Sequence, residues 1–214
     1  MINLILIYPT QLFDIDIYYK KLVDNNIKTF FILLEDDYFF NKFNFHKLKL
    51  ILHKSSMEYF YNELVNLNYD VIYLENKDMY KLDNIISKFK PNNIKVYDPI
   101  EKEVIKKVKV YNVEILKSPM FLNSSQDNLD LSNQIKYIKH STFYKLQRIK
   151  YNVLIDKNNN PLFGKWSFDI HNRNKFPKDV NENTIMKYKI NDNKHVINAR
   201  KYLNKYYGDN YGDD

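Results

Sequence analysis

Asn3-Leu4-Ile5-Leu6-Ile7-Tyr8 opens the chain as an unbroken apolar run, and Lys28-Thr29-Phe30-Phe31-Ile32-Leu33-Leu34 follows it after an interval long enough for a helix. Runs of this length with no polar alternation belong to strands buried on both faces, which is the condition of a parallel sheet covered by helices. Similar runs recur at 70–74, 94–97 and 112–116, and helical patterns lie between them at 15–24, 45–67, 79–89 and 100–109. The clearest helix is 45–67, where Phe45, Leu48, Leu52, Tyr59, Phe60, Leu64 and Leu67 recur at helical spacing and predict the face laid on the sheet. Strand and helix alternate, so the fold class is α/β. The expectation is a doubly wound five-stranded parallel sheet of the Rossmann-like kind over residues 1–130.

Beyond residue 120 the pattern changes. Asn123-Ser124-Ser125-Gln126-Asp127 is turn-like, and 136–155 then carries Phe143, Leu146, Ile149 and Val153 at helical spacing. Residues 156–183 are rich in Asn, Lys and Pro and are broken by Pro161, Gly164 and Pro177, which reads as a long crossing segment. A last helix is expected at 193–207. Residues 131–214 are therefore read as a basic linker and a terminal helix.

Composition removes whole classes of chemistry. The 214 residues contain no Cys, which excludes disulfides, thiolate metal sites, Cys nucleophiles and a Cys-ligated iron–sulfur cluster held by this chain. Its three glycines are Gly164, Gly208 and Gly212, so the α/β region holds neither a Walker A loop nor a G-x-G-x-x-G turn. The opening run is too short for a membrane span and has no basic leader, and no later stretch is long enough either; a soluble intracellular protein without membrane attachment is expected. The abundance of Lys, Asn and Ile resembles an AT-rich coding sequence, so Lys number alone carries no functional argument.

The position of the charge carries one. Net charge is +7, yet residues 1–134 hold seventeen basic and eighteen acidic side chains, against ten and two in residues 135–178. Within this basic segment Tyr144, Tyr151, Trp166 and Phe168 interleave with the bases, the arrangement that tracks a phosphate backbone and stacks unpaired nucleotides. Lys145, Arg148, Lys165, Trp166 and Arg173 are the candidates for a nucleic-acid or interdomain contact. Two readings stand: a weak DNA contact, and a solvated basic linker lying against something acidic.

In an open parallel sheet, ligands bind beyond the carboxyl ends of the strands where strand order reverses. The first strand ends in Pro9-Thr10-Gln11 and the second in Leu34-Glu35-Asp36-Asp37-Tyr38. Gln11 offers an amide, Glu35 an acceptor for a ring N–H or a ribityl hydroxyl, and Tyr38 a stacking face, so a planar heterocycle suits the place. The alternative is a solvated acidic loop and a glutamine that closes its own turn. His46 and His53 are two helical turns apart, too far to share a metal, and no catalytic triad or carboxylate dyad is readable; no catalytic or metal residue is assigned.

Two stretches are similar to a known family. His46-Lys47-Leu48-Lys49-Leu50, Ser55-Ser56-Met57 and Phe60-Tyr61-Asn62-Glu63-Leu64 resemble its HKxKL…SAM…F…EL helix. Phe143-Tyr144, Gln147-Arg148, Pro161, Gly164-Lys165-Trp166-Ser167-Phe168-Asp169, Asn172-Arg173, Lys175 and Pro177 resemble its FYRxQR…GKPxGGKWSFDxENRKxLP signature. Tyr97-Asp98-Pro99-Ile100-Glu101 resembles its E-P-x-E loop, and Gln11-Leu12 its G-D-Q-L turn, with Pro9-Thr10 where the family has Gly-Asp. The family is that of the photolyase-related proteins, the iron–sulfur bacterial cryptochromes and (6-4) photolyases.

The resemblance implies an N-terminal antenna domain and interdomain linker, since the family's flavin, iron–sulfur cluster and lesion site belong to a helical C-terminal domain that is absent here. It implies a lumazine-type antenna chromophore, carried over onto Glu35 and Tyr38 with Phe30 and Ile32 on the strand wall. No FAD and no cluster are expected in this chain. The implied protein is catalytically incomplete for DNA repair by itself: one piece of a split enzyme, whose partner is a separate C-terminal half, or a truncated one. The alternatives are a non-catalytic nucleic-acid- or partner-binding module using residues 135–178, and a non-functional gene remnant.

Overall fold

Five strands, β1 (Ile2–Ile7), β2 (Lys28–Leu34), β3 (Asp70–Leu74), β4 (Asn93–Tyr97) and β5 (Glu114–Leu116), form one parallel sheet in the order β3-β2-β1-β4-β5. The structure, a computed structural model, describes residues 1–78, 81–135, 137, 139–169, 172–175 and 192–213. Each strand falls on an apolar run of the sequence. β1 lies at the centre, paired Leu6↔Ile32 to β2 and Leu6↔Val96 to β4, and Leu4, Leu6 and Ile7 are wholly buried. Both faces are covered, as an unbroken apolar run requires.

Helices α1 (Asp37–Phe40), α2 (Lys47–Asn66), α3 (Lys81–Phe89) and α4 (Lys102–Lys109) connect the strands. Residues 15–22 form a turn of π-helix (Ile15–Tyr19) followed by a 3-10 turn (Lys20–Leu22) where a longer helix is expected. Phe30 of β2 stacks on Phe89 of α3 with ring centroids 4.7 Å apart. Phe31, pointing the other way as strand geometry demands, meets Tyr19, which in turn touches Phe60 of α2.

The buried face of α2 differs from the expectation. Leu48, Leu52, Tyr59 and Leu67 are exposed, and Leu50, Ile51, Lys54, Met57, Phe60 and Leu64 are buried. Polar and apolar residues are mixed around the helix, so hydrophobicity does not select a face; the buried face is the one that brings Lys54 to the Glu35 carboxylate. An amphipathicity rule places a lysine outside and so turns this helix the wrong way.

The described chain forms two compact units, Met1–Phe121 with Asn191–Asp214, and Leu122–Ile190. The first unit takes in the terminal helix α7 (Lys194–Tyr206; numbered after α5 and α6 below), which the sequence reading groups with the linker. His195, Ala199, Leu203 and Tyr207 make its buried stripe. His195 packs edge-on to Tyr59 of α2, and Asn198 donates to Glu58 at 2.8 Å. The chain after α7 returns to the start of α2: Lys47 N–H donates to the Tyr211 carbonyl, and Gly212, at φ +91°, lies where a Cβ would enter the His46 ring.

In the second unit, the segment read as a turn begins a helix, α5 (Ser125–Gln134), followed by α6 (His140–Lys150). Ser124 caps α5 and Asp127 returns the bond to the Ser124 N–H, a capping box in which turn-forming residues start a helix rather than a loop. Lys150 of α6 pairs with Asp127 at 2.9 Å, and the bonds from Ser124 and Lys150 hold the Asp127 carboxyl well below its usual range. Of the segment expected to be a long crossing, residues 170, 171 and 176–183 lie outside the described residues.

Candidate functional site

Strand order reverses between β1 and β4: from β1 the chain moves outward to β2 and β3, then crosses to β4 and β5. The crevice rule therefore points to the carboxyl ends of β1 and β4. Gln11 sits there, fully buried. Its Oε1 accepts from Tyr8 N–H at 3.1 Å and its Nε2 donates to the Tyr97 carbonyl of β4 at 2.5 Å. The amide closes its own turn and ties β1 to β4, and its backbone carbonyl accepts from the Tyr19 hydroxyl.

Glu35 lies at the other side of β1, between β2 and β3, where its N–H donates to the Leu74 carbonyl. Its side chain is wholly buried and surrounded by donors: Lys54 Nζ at 2.7 Å and Tyr73 hydroxyl at 2.6 Å on Oε1, Asn76 N–H and Tyr202 hydroxyl, both at 3.0 Å, on Oε2. Lys54 also pairs with Glu75 at 3.1 Å, and its ammonium lies over the rings of Tyr73 and Tyr202. Burial, the nearby Glu35 charge and its hydrogen bond push both phenols well above their usual range. Glu35 is thus an internal counter-ion that fastens α7, through Tyr202, to the sheet.

The remaining sequence candidates separate. Phe30 and Ile32 share the α3 face of β2, whereas Glu35 reaches toward α2. Ile32 is completely buried. Tyr38 is half-buried on α1, 5.3 Å from Phe39, with the Lys42 ammonium 4.4 Å from its ring centre. Lys42 pairs with Glu103 of α4, and Lys107 of α4 pairs with the buried Asp36 at 2.8 Å. Two ion pairs thus hold α4 against the β2–α1 turn, where Tyr38 lies half-buried with Lys42 over its ring.

A second group gathers at the crevice that sequence reasoning left unassigned. Glu101, the residue preceding α4 in the loop after β4, has a buried Oε2 with no hydrogen-bond partner, and His53 of α2 has an unpartnered buried Nε2. His53 lies 6.1 Å from the rings of both Phe39 and Phe40, and Phe39 is 6.1 Å from Tyr8 at the end of β1. Lys49, one helical turn before His53, places its Nζ 3.5 Å from the Phe45 ring centre. Burial, reinforced by the Lys49 charge, lowers the imidazole to about 4. Burial likewise raises the Glu101 carboxyl and lowers the Lys49 ammonium, the latter against the pull of Glu101. Ionisable groups shifted by burial at a strand-end crevice are the usual sign of a site. The signal was present in the sequence as Glu101 in the E-P-x-E-like loop and Lys49 in the HKxKL-like helix.

In the second unit Arg148 is buried, 4% exposed, and each end of its guanidinium is used: Nε donates to the Val153 carbonyl at 3.1 Å, Nη1 to that of Trp166 at 2.9 Å and Nη2 to that of Leu154. Its plane lies near the rings of Tyr144 and Trp166. Lys145, above the Trp166 ring, is exposed, as are Lys165 and Arg173. Among the described residues no group of three or more His, Asp or Glu side chains is placed to hold a metal ion, and no helix is long and apolar enough to cross a membrane.

Residues 5–214 match the family of deoxyribodipyrimidine photo-lyase-related proteins. The chain is also 30% identical over 200 residues to the protein R852 of Acanthamoeba polyphaga mimivirus, described as uncharacterized, across 84% of this chain and 98% of the viral one. The family match over residues 5–214 shows that the chain belongs to the deoxyribodipyrimidine photo-lyase-related protein family.

Proposed function

We propose that the chain is a chromophore-binding, light-gathering front portion of a photolyase-type protein, which takes a lumazine-type heterocycle at the carboxyl ends of β1 and β4 and carries no repair chemistry itself. The observation that carries this reading is two buried, unpartnered polar atoms, Glu101 Oε2 in the loop after β4 and His53 Nε2 beside the rings of Phe39 and Phe40. Buried polar atoms without partners cost free energy, about 1–3 kcal/mol each, that a bound ligand removes. The residues present fit the group: the apolar rings suit a planar heterocycle, and the free acceptor and nitrogen suit its polar edge. When bound, such a chromophore supplies near-ultraviolet and blue absorption; the protein's part is to hold it and exclude water. With no cysteine, the chain offers no thiolate to an iron–sulfur cluster.

The test is a titration of purified protein with 6,7-dimethyl-8-ribityllumazine. A shifted absorption band and polarised emission are expected, and Tyr38→Ala, which removes a half-buried ring at the crevice without touching the Glu35 cluster, is expected to weaken binding about tenfold, in line with the roughly 1.4 kcal/mol available from one aromatic contact. Free-ligand spectra at saturating protein would refute the reading.

A second reading rests on the exposed rings of Phe163 and Phe168, 6.4 Å apart in the basic unit and flanking exposed Lys165. Exposed aromatic rings among cations are what single-stranded nucleic acid stacks upon. This reading expects salt-dependent retention of single-stranded DNA, lost on replacing Lys145, Lys165 and Arg173 together by Ala. Retention that is insensitive to salt or to those charges would end it.

A further inference from the structure

The second unit keeps its large apolar side chains outside. Among its described residues only Arg148 is buried. Val153, Leu154, Leu162, Phe163 and Phe168 are exposed on the segment that follows α6, Phe163 to 78%. That segment is braced. Ile155 and Pro161 form an antiparallel bridge, Leu162 N–H donates to the Leu154 carbonyl at 2.9 Å, and Asp156 N–H donates to the Asn160 carbonyl at 2.9 Å. Arg148 holds the carbonyls of Val153 and Leu154 at one end and that of Trp166 at the other. Leu154 at φ +50° and Phe163 at φ +65° lie in the left-handed region, which favours glycine or asparagine. Burial draws a phenylalanine inward and this backbone conformation selects against one, yet the brace holds Phe163 out in spite of both.

The charge around the loop selects what covers it. Residues 135–178 hold ten basic and two acidic side chains, and both acids are engaged within their own turns. Asp156 accepts from the N–H groups of Asn158 and Asn160, each at 2.8 Å, and Asp169 accepts from the Ser167 hydroxyl at 3.3 Å. Lys157 and Lys165 lie exposed within the loop, Arg173 and Lys175 lie exposed just beyond it, and Lys145 Nζ stands 5.6 Å from the Trp166 ring centre. The complement of this surface is anionic and apolar together. Stacked bases satisfy the two phenylalanine rings but leave Val153, Leu154 and Leu162 in water, because a base offers them no hydrocarbon. An anionic bilayer satisfies every member: acyl chains take aliphatic and aromatic side chains alike, and the phosphate headgroups take the cations. The expectation of a protein without membrane attachment rests on the lack of a spanning segment, which an interfacial loop does not need.

We infer that residues 153–168 form an interfacial anchor for an anionic lipid surface, with the apolar side chains entering the acyl boundary and the surrounding lysines and arginine lying on the headgroups. An apolar insertion combined with a basic patch gives reversible attachment. The inference is independent of the chromophore reading, and it names a different occupant from the single-stranded DNA considered above for the same rings.

The test is co-sedimentation of the full-length protein with vesicles of phosphatidylcholine alone and of phosphatidylcholine mixed with phosphatidylserine. Salt-sensitive binding to the mixed vesicles only is expected. Leu162→Ser combined with Phe163→Asn is expected to weaken that binding about tenfold or more, the usual worth of burying such side chains. Asparagine tolerates the conformation at 163, so circular dichroism of the double variant is expected to match that of the wild type. The emission of Phe163→Trp, read against the wild-type emission of Trp166, is expected to shift to the blue on mixed vesicles and to be quenched by brominated acyl chains. Bound protein whose emission does neither would reduce the attachment to surface charge and overturn insertion. Absence of binding to the mixed vesicles overturns the inference outright, and retention of oligothymidylate under the same conditions would then assign the rings to nucleic acid. Should the double variant fail to fold, the Phe163→Trp measurement decides alone.

Discussion

Lys54→Met is expected to lower the free energy of unfolding by about 3–5 kcal/mol, the usual cost of leaving a buried charge without its counter-ion. Methionine keeps most of the aliphatic stem, so the loss reports on the ammonium and not on a cavity. That ammonium stands 2.7 Å from Glu35, whose side chain has no exposed surface, and 3.1 Å from Glu75. Removing it leaves Glu35 with only the phenols of Tyr73 and Tyr202 and one backbone N–H. Glu35→Gln is expected to cost less, about 1–2 kcal/mol, since an amide still accepts hydrogen bonds and Lys54 retains Glu75. Urea unfolding followed by far-ultraviolet circular dichroism measures both. A Lys54→Met cost below about 1 kcal/mol would show that the buried pair does not anchor the terminal helix.

Arg148→Lys is expected to unfold the second unit selectively. The guanidinium fork serves three carbonyls from Val153, Leu154 and Trp166, which one ammonium on a flexible stem does not reach together. Losing two charge-assisted bonds there costs about 2–4 kcal/mol. Trp166 is the chain's single tryptophan and belongs to this unit, so its emission reports on the second unit alone. The expected result is a red shift and an earlier Trp166 transition in urea, with the circular dichroism of the α/β unit little changed. Coincident, unshifted transitions would deny Arg148 this role. The same geometry removes Arg148 from the residues that can meet a phosphate, leaving Lys145, Lys165 and Arg173 exposed for that purpose.

How far the sequence reached is visible residue by residue. The five apolar runs became the five strands because a strand buried on both faces needs nothing but continuous apolar side chains, and those are written locally. The buried face of α2 was misread because its core position Lys54 is polar and its exposed positions Leu48, Leu52 and Tyr59 are not. The segment Asn123–Asp127 was misread because Ser and Asp stop one element and cap the next with the same hydrogen bonds. Gln11 was placed correctly at a strand end, but its amide is spent within the protein, on Tyr8 and Tyr97.

By itself the sequence determined the order of strands and helices, the strand-end region in which to seek a ligand, the absence of cysteine chemistry and the family signatures, since each depends on residue type and short-range spacing. Only the tertiary structure decided which polar groups remain open. The donors that fill Glu35 come from 19, 38, 41 and 167 residues away along the chain, while Glu101 Oε2 in a loop and His53 Nε2 on a helix are left without hydrogen-bond partners. Hydrogen-bond saturation is a property of what folding brings into contact, and no local pattern records it.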